Sequence, residues 1–201
     1  ILLYTFSIKV AALFGNEKAK LWVKGRRQWF KQLESSLLNF KEADRYWFHC
    51  ASLGEFEQGR SLIEKVRKEF PDAYILLTFF SPSGYEIRKQ YSEVNFVSYL
   101  PADTKKNAKK FINILNPKKT FFIKYEFWYH YINELEKRKK PIYIISAIFR
   151  PQQIFFKWYG GFYRNLLKKI TLIFLQDKNS SHLLLEKDIT NISISGDTRF
   201  D

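Results

Sequence analysis

From Arg45 onward, seven short runs of β-branched and aromatic residues alternate with stretches of helical length, and this alternation restricts the possible folds more than any other feature. The runs are RYWFHCA (45–51), YILLTFF (74–80), NFVSYL (95–100), TFFIKYE (120–126), PIYIISAIF (141–149), TLIFLQD (171–177) and NISISG (191–196). Between them the pattern predicts helices over 55–69, 83–91, 104–115, 127–139, 161–169 and 179–187. Runs that are apolar throughout, rather than at alternate positions, belong to strands covered on both faces, and crossover helices supply that cover. The expected fold class is α/β: a Rossmann-like, doubly wound, mainly parallel sheet over residues 45–201.

Residues 1–44 stand outside the pattern. ILLYTFSIKVAALF (1–14) is apolar but interrupted by Lys9, and it falls short of the about 20 residues a membrane-spanning helix needs. It reads either as the remnant of an N-terminal anchor or as a helix lying on the domain or in a membrane interface. No Met occurs, even at position 1, which suggests that the native start is missing. The next segment, basic and carrying Trp22, Trp29 and Phe30, is expected to be a helical lead-in.

A chain of 201 residues with 46% hydrophobic residues can bury one full core. The single cysteine, Cys50, excludes an internal disulfide and any multi-cysteine metal site. Thirty-four Lys and Arg against 20 Asp and Glu give a net charge of +14. Such a field favours polyanionic partners: nucleic acid, anionic lipid or a phosphorylated glycolipid. Lys105, Lys106, Lys109 and Lys110 fit an anionic surface, and equally fit a solvated helix face.

Ligands of a doubly wound sheet sit beyond the carboxyl ends of its strands. Those ends read ASLGE, FFSPSG, LPADT, KYEFW, AIFRP, QDKNSS and GDTRFD. Neither GxGxxG nor GxxxxGK[ST] occurs, so no dinucleotide fingerprint or Walker-type phosphate loop is present. His49, His130 and His182 are isolated, so no histidine metal site is expected, and His49 on the first strand reads as a satisfied core or rim histidine.

Two loops carry more than helix grammar. Ser52-Leu53-Gly54-Glu55 fits a capping box, in which Ser52 accepts from the N3 backbone N–H and Glu55 returns to the N-cap N–H. The same glutamate stands where a general base would face the crevice. In FFSPSG, Ser81 can cap a helix with Pro82 at its first position. That geometry also leaves the Ser81 and Ser83 hydroxyls able to hold a phosphate or a sugar.

Taken together and in order, HCASLGEFEQGRSLIE, ILLTFFSPSGYE, YLPADT, KYEFW, FLQD and SGDTRFD resemble the 3-deoxy-D-manno-octulosonic acid (Kdo) transferases of Gram-negative lipopolysaccharide synthesis, from about Tyr46 to the last residue. The resemblance implies a GT-B glycosyltransferase whose N-terminal half receives the lipid A precursor and whose C-terminal half, absent from this chain, binds CMP-Kdo. It further implies an inverting reaction without cofactor or catalytic metal, at the cytoplasmic face of the inner membrane on an anionic surface. No nucleic-acid partner is expected. Carried over by residue, the glutamate of the family's ASxGE motif falls on Glu55, the proposed general base. Ser52, Gly54, Ser81, Ser83 and Gly84 fall in the matched substrate-binding loops. The second glutamate of the ExELW-type segment falls on Glu126, while the first is replaced by Lys124, and a family arginine is matched only loosely by Arg150. The alternatives from composition are a basic nucleic-acid-binding module and a GT-B transferase with another acceptor.

Overall fold

A computed structural model describes residues 2–197. Three helices come first: α1 (Leu2–Leu13), α2 (Glu17–Gly25) and α3 (Trp29–Ser36). Strand and helix then alternate as β1 (Arg45–Cys50), α4 (Leu53–Glu69), β2 (Tyr74–Phe79), α5 (Pro82–Arg88), β3 (Phe96–Tyr99), α6 (Lys105–Leu115), β4 (Lys119–Ile123), α7 (Tyr129–Lys137), β5 (Ile142–Ala147), α8 (Gly161–Leu167), β6 (Leu172–Leu175), α9 (Lys178–Leu185) and β7 (Ile192–Ile194). Each of the seven expected strands and six expected helices is present, with ends displaced by a few residues. Every neighbouring strand pair is parallel, and the sheet order is β3-β2-β1-β4-β5-β6-β7.

The apolar runs become central strands because both of their faces are buried. Along β1, Trp47 enters one core with Leu76, Phe122 and Ile144, while Tyr46, Phe48 and Cys50 enter the other with Ile75, Leu77 and Ile123. Right-handed crossovers place the helices. As the chain steps from β1 to β3, α4 covers one face with Phe56 and Ile63; after α6 carries it back, α6 to α9 cover the other with Phe111, Tyr131, Leu166 and Leu184. The first face is left thinly covered over β4 to β6. There Phe121, Tyr143, Ile145 and Phe174 line a groove of about 740 Å³ beside Leu62 and Lys65 of α4.

Residue 45 begins the sheet, but the core begins earlier. Leu33 and Leu37 are buried in the main core, and α2 is tied to the strand ends by Arg26. This residue follows α2 and donates from Nε to the Leu100 carbonyl (2.8 Å), and from its terminal nitrogens to Phe80 (2.7 Å) and Trp22 (3.2 Å). Its guanidinium lies 3.9 Å from the centre of the Trp22 ring. Among the described residues no helix is long and apolar enough to cross a membrane.

Candidate active site

The strand order reverses at β1, which has β2 on one side and β4 on the other. The connections that leave β1 and β4 turn to opposite faces of the sheet, and a crevice opens between them at the carboxyl ends. Glu55 lies in the first turn of α4, directly after β1; Glu126 lies three residues beyond the end of β4. Both carboxylates act on one buried group, the Cys50 thiol. Burial pushes that thiol well up, and the charges of Glu126 and Glu55 push it further. Cys50 is thereby held as a neutral core residue rather than a nucleophile.

The capping box expected at Ser52–Glu55 is not formed. Ser52 occupies the N-cap with extended backbone but makes no side-chain cap bond; its hydroxyl donates to the Glu55 carboxylate instead. Ser81 behaves likewise at the start of α5, where Pro82 opens the helix and the Ser81 hydroxyl shares a 2.6 Å hydrogen bond with that of Ser83. Three other helices are capped conventionally, Asn16, Thr104 and Asp177 each accepting from the N–H three residues on, while α3, α7 and α8 begin at Gln28, Trp128 and Gly160 without a side-chain cap bond. A missing cap costs about 1 kcal/mol. The two helices that open on the β1 and β2 ends therefore start without that stabilisation. Their loops lie side by side, with the Ser81 N–H donating to the Ala51 carbonyl at 2.8 Å.

Glu126 is held more firmly than the sequence indicates. Its Oε2 accepts from the Trp128 indole N–H (2.6 Å) and faces His49 Nε2 (3.2 Å), while His49 Nδ1 lies 2.8 Å from Thr78 Oγ1. Trp47 donates to the same Thr78 oxygen at 2.8 Å. The Thr78 hydroxyl has one proton and two acceptors, His49 Nδ1 at 2.8 Å and the Phe48 carbonyl at 3.2 Å; given to the nearer, it leaves a neutral ring whose Nε2–H donates to Glu126. His49 is fully buried with both nitrogens partnered, as a satisfied core histidine should be, but its partner is a crevice carboxylate. A signal was present in the strands: His49 and Thr78 are polar residues in otherwise apolar runs and are paired in register across β1 and β2.

The remaining expected residues divide. Gly54 is exposed, and a Cβ there would meet only Ser52 Oγ, at 3.8 Å. Gly84 is buried, and a Cβ would lie 2.2 Å from the Phe79 ring, so its small size serves packing. Lys124, which replaces the first glutamate of the family's segment, has φ of 66° and donates its N–H to the Ile145 carbonyl (2.8 Å). Ser146 has φ of 60° beside a register shift in β5. Both stand near the carboxyl ends of their strands, β4 and β5, and four other non-glycine residues with positive φ, Gln28, Asn116, Lys139 and Asp188, lie elsewhere. Ser52, Gly54, Glu55, Ser81, Ser83 and Glu126 gather at the ends of β2, β1 and β4. Arg150 is exposed in the loop after β5, the strand next to β4. The GDTRFD segment lies, from Thr198 on, outside the described residues.

Relatives of known sequence and structure agree with this architecture. The chain is 27% identical over 161 residues to a 3-deoxy-D-manno-octulosonic acid transferase of Haemophilus influenzae, covering 77% of this chain and 37% of that protein. It is 25% identical over 169 residues to a bifunctional glycosyltransferase/methyltransferase of Fusobacterium nucleatum, covering 82% of this chain and 25% of the relative. The chain thus spans a quarter to somewhat over a third of these relatives. Among solved structures, the UDP-GlcNAc 2-epimerase of Neisseria meningitidis superposes with a TM-score of 0.57 at 13% identity, over 77% of this chain and 47% of that one. The epimerase of Methanocaldococcus jannaschii gives 0.55 at 14%, over 77% and 46%. These likenesses concern the fold. Residues 23–201 match the model of the family described as 3-deoxy-D-manno-octulosonic-acid transferase (kdotransferase), and the chain belongs to that family.

Proposed function

We propose that this chain is the acceptor-binding half of a Kdo transferase, and that Glu55 is its general base. In this reading Glu55 takes the proton of a sugar hydroxyl on the lipid A precursor as that oxygen attacks the anomeric carbon of Kdo. The carbon–oxygen bond to CMP breaks as the new bond forms, and the configuration inverts. CMP-Kdo would be held by a second half outside this chain. A sugar hydroxyl is a poor nucleophile at neutral pH, and a positioned base contributes about 10²- to 10⁴-fold.

The observation that carries this reading is that Glu55 stands at the β1–β4 crevice, partly exposed, and is not spent on a backbone cap. Ser52 orients the carboxylate without covering it. Glu126, fixed by His49 and Trp128, supplies a second carboxylate to hold acceptor hydroxyls. Exposed Leu3, Phe6, Leu13 and Phe14 in and after α1 support a place on the cytoplasmic face of the inner membrane, as does the charge of +14.

Glu55→Gln in the full-length enzyme tests the base. Glutamine keeps the shape and can still accept from Ser52, so the variant should unfold at nearly the wild-type temperature while transfer falls by at least about 10²-fold. Near-normal transfer by Glu55→Gln would remove Glu55 from the chemistry and make Glu126 the next residue to vary.

A further inference from the structure

Asp103, in the LPADT loop (100–104) between β3 and α6, is a buried carboxylate, 8% exposed. A buried carboxylate needs donors, and Asp103 finds them 27 residues away, at the start of α7. Both of its oxygens accept from the His130 N–H, at 3.0 and 3.2 Å, and the backbone N–H groups of Tyr131 and Tyr129 also favour its charge. Burial pushes the carboxyl above the ordinary carboxylate range, against the pull of these N–H groups. Beside it the Tyr131 hydroxyl donates to the Pro101 carbonyl at 3.0 Å, so the loop is attached to α7 at two points.

The donors are first-turn N–H groups of a helix, which have no partner within it. The N-cap side chain usually accepts from one of them. In α7 the N-cap is Trp128, which makes no such bond. Its indole N–H goes instead to Glu126 at 2.6 Å, and its ring lies against those of Phe80 and His49, with centres 5.0 and 5.5 Å away. The place of the cap is thus taken by the residue that holds the crevice carboxylate, and the cap comes from another loop. The Trp128 carbonyl accepts from the Ile132 N–H at 2.9 Å, so the backbone that carries the indole belongs to the turn that Asp103 secures. Without Asp103 that turn would open to water, Trp128 would lose its anchorage, and Glu126 would keep only the longer bond to His49, at 3.2 Å.

We propose that Asp103 is a positioning residue for Glu126: it caps α7 from the LPADT loop and so fixes the indole that orients the carboxylate. The effect on the acceptor rests on the reading of Glu126 proposed above, whereas the positioning itself is tested without it.

The test reads the indole signals of the ¹⁵N-labelled 201-residue chain, whose five tryptophans give five, with Trp47, Trp128 and Trp158 identified from their Phe variants. The Trp128 proton, bonded to a carboxylate, should lie well downfield of that of Trp158, which is 91% exposed and bonds to water. Asp103→Ala should move the Trp128 signal at least halfway to the Trp158 position and leave that of Trp47, which donates to Thr78, in place. Asp103→Asn, which keeps one acceptor oxygen, should move it the same way by less, and it carries the test if the alanine variant fails to fold. The control is Asp177→Ala, which removes a cap of the same kind from α9, after the strand three places from β1. A Trp128 signal that stays put without Asp103, or moves as far in Asp177→Ala, reduces Asp103 to a structural cap and overturns the proposal. In the full-length enzyme, Asp103→Ala and Glu126→Gln should each raise the KM for the lipid A precursor at least about tenfold with kcat within about twofold of wild type, the pattern of lost binding. The double variant should be no worse than Glu126→Gln alone, because Asp103 acts through Glu126; additive effects would overturn that coupling. An unchanged KM in Glu126→Gln would remove Glu126 from acceptor binding and leave the indole signals to decide on Asp103.

Discussion

Ser52 and Ser81 occupy helix N-caps yet direct their hydroxyls to Glu55 and Ser83, whereas Thr104 and Asp177 cap their helices. The first pair follows β1 and β2, beside the switch point; the second follows β3 and β6, away from it. His49, on β1, lies beside the same switch point inside the core. In the neutral ring, Thr78 donates to Nδ1 and Nε2–H donates to Glu126; long-range ¹H–¹⁵N spectra of the labelled chain should therefore show His49 with an unprotonated Nδ1. Only three histidines need assignment, and His49→Gln identifies the signal. A protonated Nδ1 with a bare Nε2 would break the hydrogen bond to Glu126 and leave the carboxylate to Trp128 alone. The places of Glu55 and Glu126 could be read from sequence because each follows the end of an apolar run. The His49–Glu126 contact could not, since it joins residues 77 apart and depends on how β1 and β4 align.

Two glycines separate what an element needs from what a ligand needs. Both follow a crevice serine within three residues, and the sequence makes them look alike. Gly84 lies against Phe79, and Gly54 faces open space. Gly84→Ala must push the Phe79 ring aside and should destabilise the chain by about 1 to 3 kcal/mol, as overpacking does. Gly54→Ala should change stability by no more than about 1 kcal/mol, in the stabilising direction, because alanine is the better helix former. Urea midpoints of the two variants check both values, and a loss at Gly54 as large as at Gly84 would contradict the open geometry. Helix positions were legible from their apolar faces. Packing against one particular ring was not, because it depends on which strand residue the helix meets.

For the molecule as a whole, seven strands in doubly wound order followed from the uninterrupted apolar runs. The participation of the lead-in did not. Its few buried residues, among them Ala19, Trp22 and Leu33, are spread through a polar, basic stretch whose periodicity is weak. Truncation measures their contribution. Removing residues 1–15 takes away α1, most of whose surface is exposed, and should cost less than about 1 kcal/mol. Removing 1–28 also strips Arg26 from the Phe80 and Leu100 carbonyls and uncovers the Tyr99 ring, and should cost at least about 3 kcal/mol. Equal urea midpoints for the two truncated chains would show that α2 is an ornament of the sheet.

The position of β1 also has a consequence during synthesis. Its partner β2 is complete at Phe79, but its other neighbour, β4, does not exist until Lys119–Ile123 has been made. At about 5 to 20 residues per second the wait lasts a few seconds. Through that interval Tyr46–His49, later the most enclosed segment of the sheet, presents unpaired N–H and C=O groups along one side, the feature by which strands recruit other chains. Slowing translation between residues 80 and 119 should therefore increase aggregation of the nascent chain more than an equal pause after residue 123, because by then the strand in the middle is no longer an edge.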